Sequence, residues 1–248
     1  MLSMDKQIEQ LAEVIRNAGH LTAFTGAGVS TLSGLRDFRG ENGLYKELDA
    51  DKIFDLLYFQ YDPAFYYTHT RELIYTSDQR DASIVHTVLA KLERQGYLKA
   101  LITQNIDLLH QKAGSEHVIE IHGSPLVHRC VSCGHEKGFS QIVPIVERGE
   151  VPRCELCGGV YKPDITFFGE ALPVRALQNA VSESASSDLM LVLGSTLQVY
   201  PAASLPETVL RGGGEIALVN RGSTHLDRQA SFLFDDLEKV FSVLDTLF

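Results

Sequence analysis

What most constrains this chain is the repeated switch of its apolar spacing between helical and strand periods. Ile8, Leu11, Ala12 and Ile15 fall at i, i+3, i+4 and i+7, the stripe of an amphipathic helix that Gly19 can cap. Residues 21–25 then read as a strand. The unit recurs: Ile84, Val85, Val88, Leu89 and Leu92 mark a helix, Gly96 ends it, and residues 99–103 form a strand. Further strands are expected at 118–121, 189–193 and 216–219, and helices at 174–186, 202–211 and 236–247. Such alternation builds βα units around a parallel sheet covered on both faces, an α/β fold.

Two stretches break the rhythm. Residues 32–77 are rich in Gly, Asp, Phe and Tyr and read as a long loop leading into short helices; residues 127–162 carry all four cysteines and little core. Both are expected to be insertions that form a smaller lobe. With 248 residues, 44% of them hydrophobic, the chain is long enough for one large domain plus such an insert. The expected division is 1–31, 78–126 and 163–248 for the sheet domain, 32–77 for a loop and helical module, and 127–162 for the cysteine module.

A net charge of −10 argues against nucleic acid as a direct partner, because phosphate neutralisation needs clustered Lys and Arg. It suits a basic partner such as a lysine-rich peptide. No run of about 18 apolar residues is present, and residues 1–11 contain no apolar signal core, so neither a membrane partner nor export is expected. The expected location is the cytoplasm, where cysteines stay reduced.

Cys130-x2-Cys133, 20 residues, then Cys154-x2-Cys157 is a zinc-ribbon spacing. Each pair puts two thiolates on one tight turn, and two turns complete a tetrahedron. The alternatives are ordinary thiols or one redox pair. Four cysteine ligands leave no open position, so the zinc is expected to be structural.

Ligands of open α/β sheets bind at the carboxyl ends of the strands. Here those ends carry Gly26-Ala27-Gly28-Val29-Ser30, Gln104-Asn105-Ile106-Asp107, His122-Gly123, Gly194-Ser195-Thr196 and Asn220-Arg221. Gly26-x-Gly28 lets backbone N–H groups approach a pyrophosphate, although Thr31 stands where a dinucleotide fingerprint has its third glycine. Taken singly each cluster has a plainer reading. The glycines can form a tight turn, Asn105 and Asp107 can cap a helix, and His122 can be structural. Asp37 and Arg39 can be a surface ion pair, with Phe38 in the core.

In combination these motifs, with Asp37-Phe38-Arg39 and Phe167-Phe168-Gly169-Glu170, occur in the order and spacing of one family. Over nearly its whole length the chain resembles the sirtuins, NAD-dependent protein lysine deacylases, in the catalytic-core-only form of bacteria and archaea. The resemblance implies a Rossmann-type parallel sheet and a smaller lobe made of a zinc ribbon and a helical insert. NAD and an acyl-lysine peptide would meet between them. Gly26, Ala27 and Gly28 would approach the pyrophosphate, and Thr31, Phe38 and Arg39 would belong to a loop over the nicotinamide ribose. Gln104, Gly194, Ser195 and Asn220 would hold ribose and phosphate. Ile106 and Asp107 would form the nicotinamide pocket. The adenine would lie near Arg221, Asp236 and Leu237.

The resemblance also implies a reaction. The acyl-lysine carbonyl oxygen attacks C1′ as nicotinamide leaves, and the acyl group ends on ADP-ribose. Asn105 would orient the ribose, and His122 would act as general base on a ribose hydroxyl. Thr166, Phe168, Gly169, Glu170, Val199 and Tyr200 would line the acyl-lysine peptide's site, where the peptide pairs as an added strand. Protein ADP-ribosyl transfer or NAD hydrolysis would use the same groups, and an inert NAD-sensing module would share the fold.

Three sites depart from the family pattern. Arg36 replaces a usual Pro, Ala82-Ser83 a usual Pro-Asn, and Thr166 a usual Val or Ile. The Tyr-x-x-Arg pair of members that remove acidic acyl groups is absent: Thr70 follows Tyr67 and His69 follows Tyr66. A neutral acyl group, acetyl by default, is therefore expected.

Overall fold

The computed structural model describes residues 3–37, 50–76 and 80–248; Phe38 and Arg39 lie outside the described residues. Helix α1 (Met4–Asn17) buries the stripe Ile8, Leu11, Ala12 and Ile15. It stops at Ala18, whose N–H bonds the Val14 and Ile15 carbonyls. Gly19 is not the cap. Its N–H donates to Asp188 Oδ2 at 2.7 Å and that of His20 to Oδ1 at 3.0 Å, so a distant carboxylate sets the exit of the chain.

The remaining elements follow in chain order. Strand β1 (Leu21–Thr25) leads into a 3-10 turn (Ala27–Ser33). The helical insert is α2 (Ala50–Ile53), α3 (Leu56–Tyr61), α4 (Pro63–Thr70) and a π-helical turn (Arg71–Tyr75). Then come α5 (Ile84–Arg94), β2 (Leu98–Thr103), α6 (Leu109–Lys112) and β3 (Val118–Glu120). The small lobe adds β4 (Gly123–Cys130), β5 (Glu136–Gly138), α7 (Phe139–Glu147) and β6 (Tyr161–Ile165). The chain closes with α8 (Val174–Ser186), β7 (Leu189–Leu193), α9 (Leu205–Arg211), β8 (Glu215–Val219), β9 (Phe232–Phe234) and α10 (Leu237–Leu247). The expected helix over 202–211 is a 3-10 turn (Ala202–Ser204) followed by α9, because Pro206 fits only the first turn of an α-helix.

The large sheet has six parallel strands in the order β3-β2-β1-β7-β8-β9. β1 and β7 are buried at every position, as strands covered on both faces must be. One face packs against α1, α5 and α10 through Leu11, Ile15, Val88, Leu92, Phe241 and Leu244; the other packs α8 and α9 against Phe24, Val192 and Leu218. The sixth strand, β9, was not visible in the sequence. Its three residues are too short for a period to register, and its pairing to β8 defines it.

Strand order reverses between β1 and β7, which opens a crevice at their carboxyl ends. The ladder also continues one residue past each strand. Ile121 N donates to Thr103 O, Gln104 N to Thr25 O, Gly26 N to Leu193 O, Gly194 N to Val219 O and Asn220 N to Phe234 O, at 2.9–3.0 Å. This chain of bonds brings all five polar clusters to one rim.

The small antiparallel sheet has the order β5-β4-β6. Its core is shared with the helical insert: Phe54, Phe59, Tyr66, Tyr67 and Tyr75 pack with Ile142, Val146, Tyr161 and Phe167. The insert and the cysteine module are therefore one hydrophobic unit. Tyr67 Oη donates to Tyr161 O, and Tyr75 Oη pairs with His128 Nε2 at 2.8 Å. Among the described residues no helix is long and apolar enough to cross a membrane.

Burial lowers the pKa of His86 to about 4 and that of His128 to about 3. The unfolded chain thus binds protons below about pH 6.5 that the native state refuses. Stability should fall with pH from 6.5 towards 4, by about 1.4 kcal/mol per unit for each such histidine. Urea unfolding at pH 7, 6 and 5 checks this, and His86→Asn should remove one histidine's share of the slope.

Candidate active site

One cavity of about 1570 Å³ lies between the rim of the large sheet and the segment that follows β6. It exceeds the roughly 300–1,000 Å³ of a single small-molecule site, so two substrates can lie side by side. Its wall contains Gly26, Ala27, Gly28, Thr31, Gln104, Asn105, Ile106, His122, Gly194, Ser195, Asn220, Arg221, Asp236 and Leu237. On the other side it contains Thr166, Phe168, Gly169, Glu170, Val199 and Tyr200. Residues expected to share a site, but drawn from widely separated stretches of sequence, are thus brought together.

The glycines serve a purpose other than offering their amides. Gly26 N and Gly28 N donate to Leu193 O and Gly194 O. A Cβ on Gly28 would lie 2.6 Å from Gly194 Cα, and one on Gly194, where φ is +59°, would lie 2.6 Å from Val29 N. Glycine is required because the β1 and β7 turns touch backbone to backbone. Between them Ala27 opens the 3-10 turn at the cavity wall. Gly194→Ala should cost about 1–3 kcal/mol of stability, read by urea unfolding.

Asn105 is buried and held by two bonds, Nδ2 donating to Gly26 O and Ser30 Oγ, both at 3.2 Å. Its own N–H donates to Thr103 Oγ1, which in turn accepts from Thr25 Oγ1. Gln104 Nε2 donates to Ser195 Oγ at 2.9 Å, joining the ends of β2 and β7 across the crevice. Asp107 lies off the main cavity, in a recess of about 20 Å³ walled by Ala27, Ser30, Leu35, Arg36, Leu73, Asn105 and Ile106. It accepts from Ser30 Oγ at 2.7 Å and Leu109 N at 3.0 Å and keeps lone pairs for a further donor. Desolvation raises its pKa, and those two hydrogen bonds oppose the rise.

His122 lines the cavity, and its Nδ1 lies 2.9 Å from Gln104 O. A carbonyl can only accept, so Nδ1 carries the hydrogen and Nε2 presents a lone pair. Desolvation pulls the imidazole's pKa down, partly offset by the Gln104 bond.

Sequence reasoning missed Ser30 and Leu73. Ser30 joins Asn105 to Asp107, a role that only its place under both side chains reveals. Leu73 reaches the recess from the π-helical turn of the insert. Asp236 caps α10, accepting from Lys239 N at 2.9 Å, while also lining the cavity. Asn220 is partly committed, with Nδ2 donating to Gly222 O. Glu170 turns one carboxylate oxygen inward, accepting from Phe167 N at 2.8 Å. Tyr66 and Tyr67 are buried in the small-lobe core and offer no hydroxyl to the cavity. Ser83 bonds Val29 O at 2.9 Å, so the start of α5 is tied to the rim turn.

The four cysteine sulfurs lie within 4.8 Å of one another, with Cys130–Cys157 at 3.5 Å and Cys133–Cys154 at 3.7 Å. A tetrahedron with Zn–S of about 2.3 Å has edges of about 3.8 Å, so the set fits zinc. Each turn closes on itself, Gly134 N donating to Cys130 O and Gly158 N to Cys154 O. No cysteine lines the cavity, so the metal is structural. Metal analysis should find one zinc per chain, and Cys154→Ala should lose it together with the melting cooperativity of the small lobe.

Comparison with known proteins agrees with this geometry. Residues 26–201 match the model of the Sir2 family. The chain belongs to the Sir2 family. An NAD-dependent protein deacetylase of Thermotoga maritima is 40% identical over 229 residues, 92% of this chain and 93% of that protein. NAD-dependent protein deacylase 2 of Archaeoglobus fulgidus is 39% identical, covering 90% of this chain and 88% of its own. A solved Sir2 structure with p53 peptide and NAD+ matches with a TM-score of 0.87 at 38% identity, covering 97% of this chain and 96% of that one. Sir2Tm bound to a propionylated peptide matches with a TM-score of 0.85 at 35% identity, covering 97% and 96%.

Proposed function

We propose that this Sir2 protein is an NAD-dependent protein lysine deacylase that transfers the acyl group to ADP-ribose and releases nicotinamide. The observation that carries the reading is the placement of His122. Its tautomer is held by Gln104, and the ring lines a cavity that is also lined by Asn105 and the 166–170 segment. The named activities of the bacterial and archaeal relatives support it.

NAD supplies a labile glycosidic bond and, once nicotinamide leaves, the ADP-ribose that accepts the acyl group. In this reading the large parallel sheet and the helices packed on it hold NAD, while β4 and β6, which span 123–130 and 161–165, belong to the smaller lobe. Ala27 meets the pyrophosphate, with Gly26, Gly28 and Gly194 allowing the approach. Gln104, Ser195 and Asn220 hold ribose and phosphate, and Arg221, Asp236 and Leu237 flank the adenine. Thr31 belongs to the loop over the nicotinamide ribose, to which we also assign Phe38 and Arg39. Asp107 receives the carboxamide N–H beside Ile106, and Asn105, fixed by Gly26 and Ser30, orients the ribose. His122 Nε2 takes the proton of a ribose hydroxyl. Phe168, Gly169, Val199 and Tyr200 border the extended peptide, and Thr166 adjoins the acyl group. We place the protein in the cytoplasm, where the thiolates of a four-cysteine zinc centre stay reduced.

The test is NAD plus an acetyl-lysine peptide, with products followed by mass spectrometry. Equimolar nicotinamide, deacetylated peptide and O-acetyl-ADP-ribose are expected, and His122→Ala should reduce turnover by about 10²–10⁴-fold. NAD consumption without deacetylation would move the reading to ADP-ribosyl transfer or NAD hydrolysis. Burial lowers the His122 pKa, and the neutral form is the base. The acid limb of kcat/KM should therefore fall below pH 6.5, activity being lost as pH drops through it. With both tyrosines buried away from the cavity, acetyl- should turn over faster than succinyl-lysine peptides.

A further inference from the structure

We propose that Lys162 is a positioning residue for the substrate peptide, acting through Glu170 and Phe167 to hold the 165–170 segment in the shape of the groove. The proposal rests on the deacylase reading above. Lys162 is the second residue of β6, three residues before that segment begins, and its side chain is only 12% exposed. Its Nζ donates to Ile165 O at 2.8 Å and Pro163 O at 3.2 Å. It pairs with Glu170 Oε2 at 2.8 Å and lies 4.1 Å from the centre of the Phe167 ring. The same Glu170 oxygen accepts from Phe167 N. One ammonium and one carboxylate thus join the first and last residues of the segment and grip its middle.

The rest of the segment is hung between two bodies. Thr166 N donates to His122 O at 2.7 Å on the large-sheet side. Phe168 N donates to Phe54 O at 2.7 Å, and Phe168 O accepts from Leu56 N at 3.2 Å, on the side of the insert. Phe168 itself is 41% exposed, so the tip gains little from burial. An ion pair largely removed from water is poorly screened, and loss of either partner strands the other charge. The clamp therefore specifies a shape at the point where the peptide must lie. Lys162 is absent from the cavity wall, and its partners Phe167 and Glu170 are on the peptide side of that wall, so its effect should reach the peptide and spare the cofactor.

The test compares Lys162→Met, Glu170→Gln, the double variant and Lys162→Arg in steady-state deacylation and in peptide binding by fluorescence anisotropy, with thermal melts alongside. Lys162→Met and Glu170→Gln should each raise the peptide KM about tenfold, with kcat and the KM for NAD within about twofold of wild type. The double variant should be no worse than either single one, since both break one clamp. Lys162→Arg, which keeps the charge and stacks on Phe167, should recover most of the affinity. Additive losses in the double variant would make Glu170 an independent peptide contact and overturn the clamp. So would an unchanged peptide KM, equal rises in both KM values, or an Arg variant as poor as Met. If Lys162→Met fails to fold, Lys162→Gln, paired with Glu170→Gln in the same cycle, decides. Wild-type protein that leaves the peptide acetylated overturns the functional reading, whereas an active enzyme indifferent to these variants overturns the clamp alone.

Discussion

The site depends on a single row of hydrogen bonds that crosses the large sheet just beyond its strands. From Ile121 to Asn220, each strand contributes one more N–H to the last carbonyl of its neighbour. Parallel strands need not end level. These bonds make them do so, and every polar cluster therefore reaches the same height. The turns after β1 and β7 are in backbone contact, where Gly28 and Gly194 meet with no room for a side chain. The reversal of strand order falls at that same place, so the crevice and this close backbone contact share one origin.

The small lobe solves a different problem. A ribbon of short strands and a set of helices as short as four residues cannot each build a core. They share one, in which Phe59, Tyr66, Tyr67 and Phe167 meet edge-to-face or tilted with centroids 5.0–6.2 Å apart. The zinc cluster closes the far end of the ribbon, and Tyr161 links it to the insert through its carbonyl bond with Tyr67. Phe167 belongs to this core while its neighbours Thr166 and Phe168 line the cavity. Packing of the aromatic cluster is thereby continuous with the shape of the groove.

The parts of this fold legible in the sequence were those governed by near neighbours. The α1 stripe, the runs of β1 and β7 and the two CxxC turns each carry their signal within a few residues. Elements defined by distant partners were less legible. β9 exists because it pairs with β8, and α1 ends where Asp188 captures Gly19 and His20. The site divides in the same way. His122, Asn105 and the glycines stood out because their types and order match a family's motifs. Leu73 and Lys162 carry no motif, and Ser30 stands in one without a role of its own; what each does appears only when side chains from separate stretches touch.

By itself the sequence determined the α/β class, the tetrathiolate ligand set and the residues gathered at the strand ends, because periodicity and spacing are local properties of a chain. Tertiary structure alone decided what those residues do to one another. The amides of Gly26 and Gly28 are spent on the β7 turn, the hydrogen of His122 is placed on Nδ1 by a carbonyl from another strand, and Glu170 is turned inward by Lys162. The physical reason is that hydrogen bonds and ion pairs act over about 3 Å, a distance that only folding creates between residues far apart in sequence.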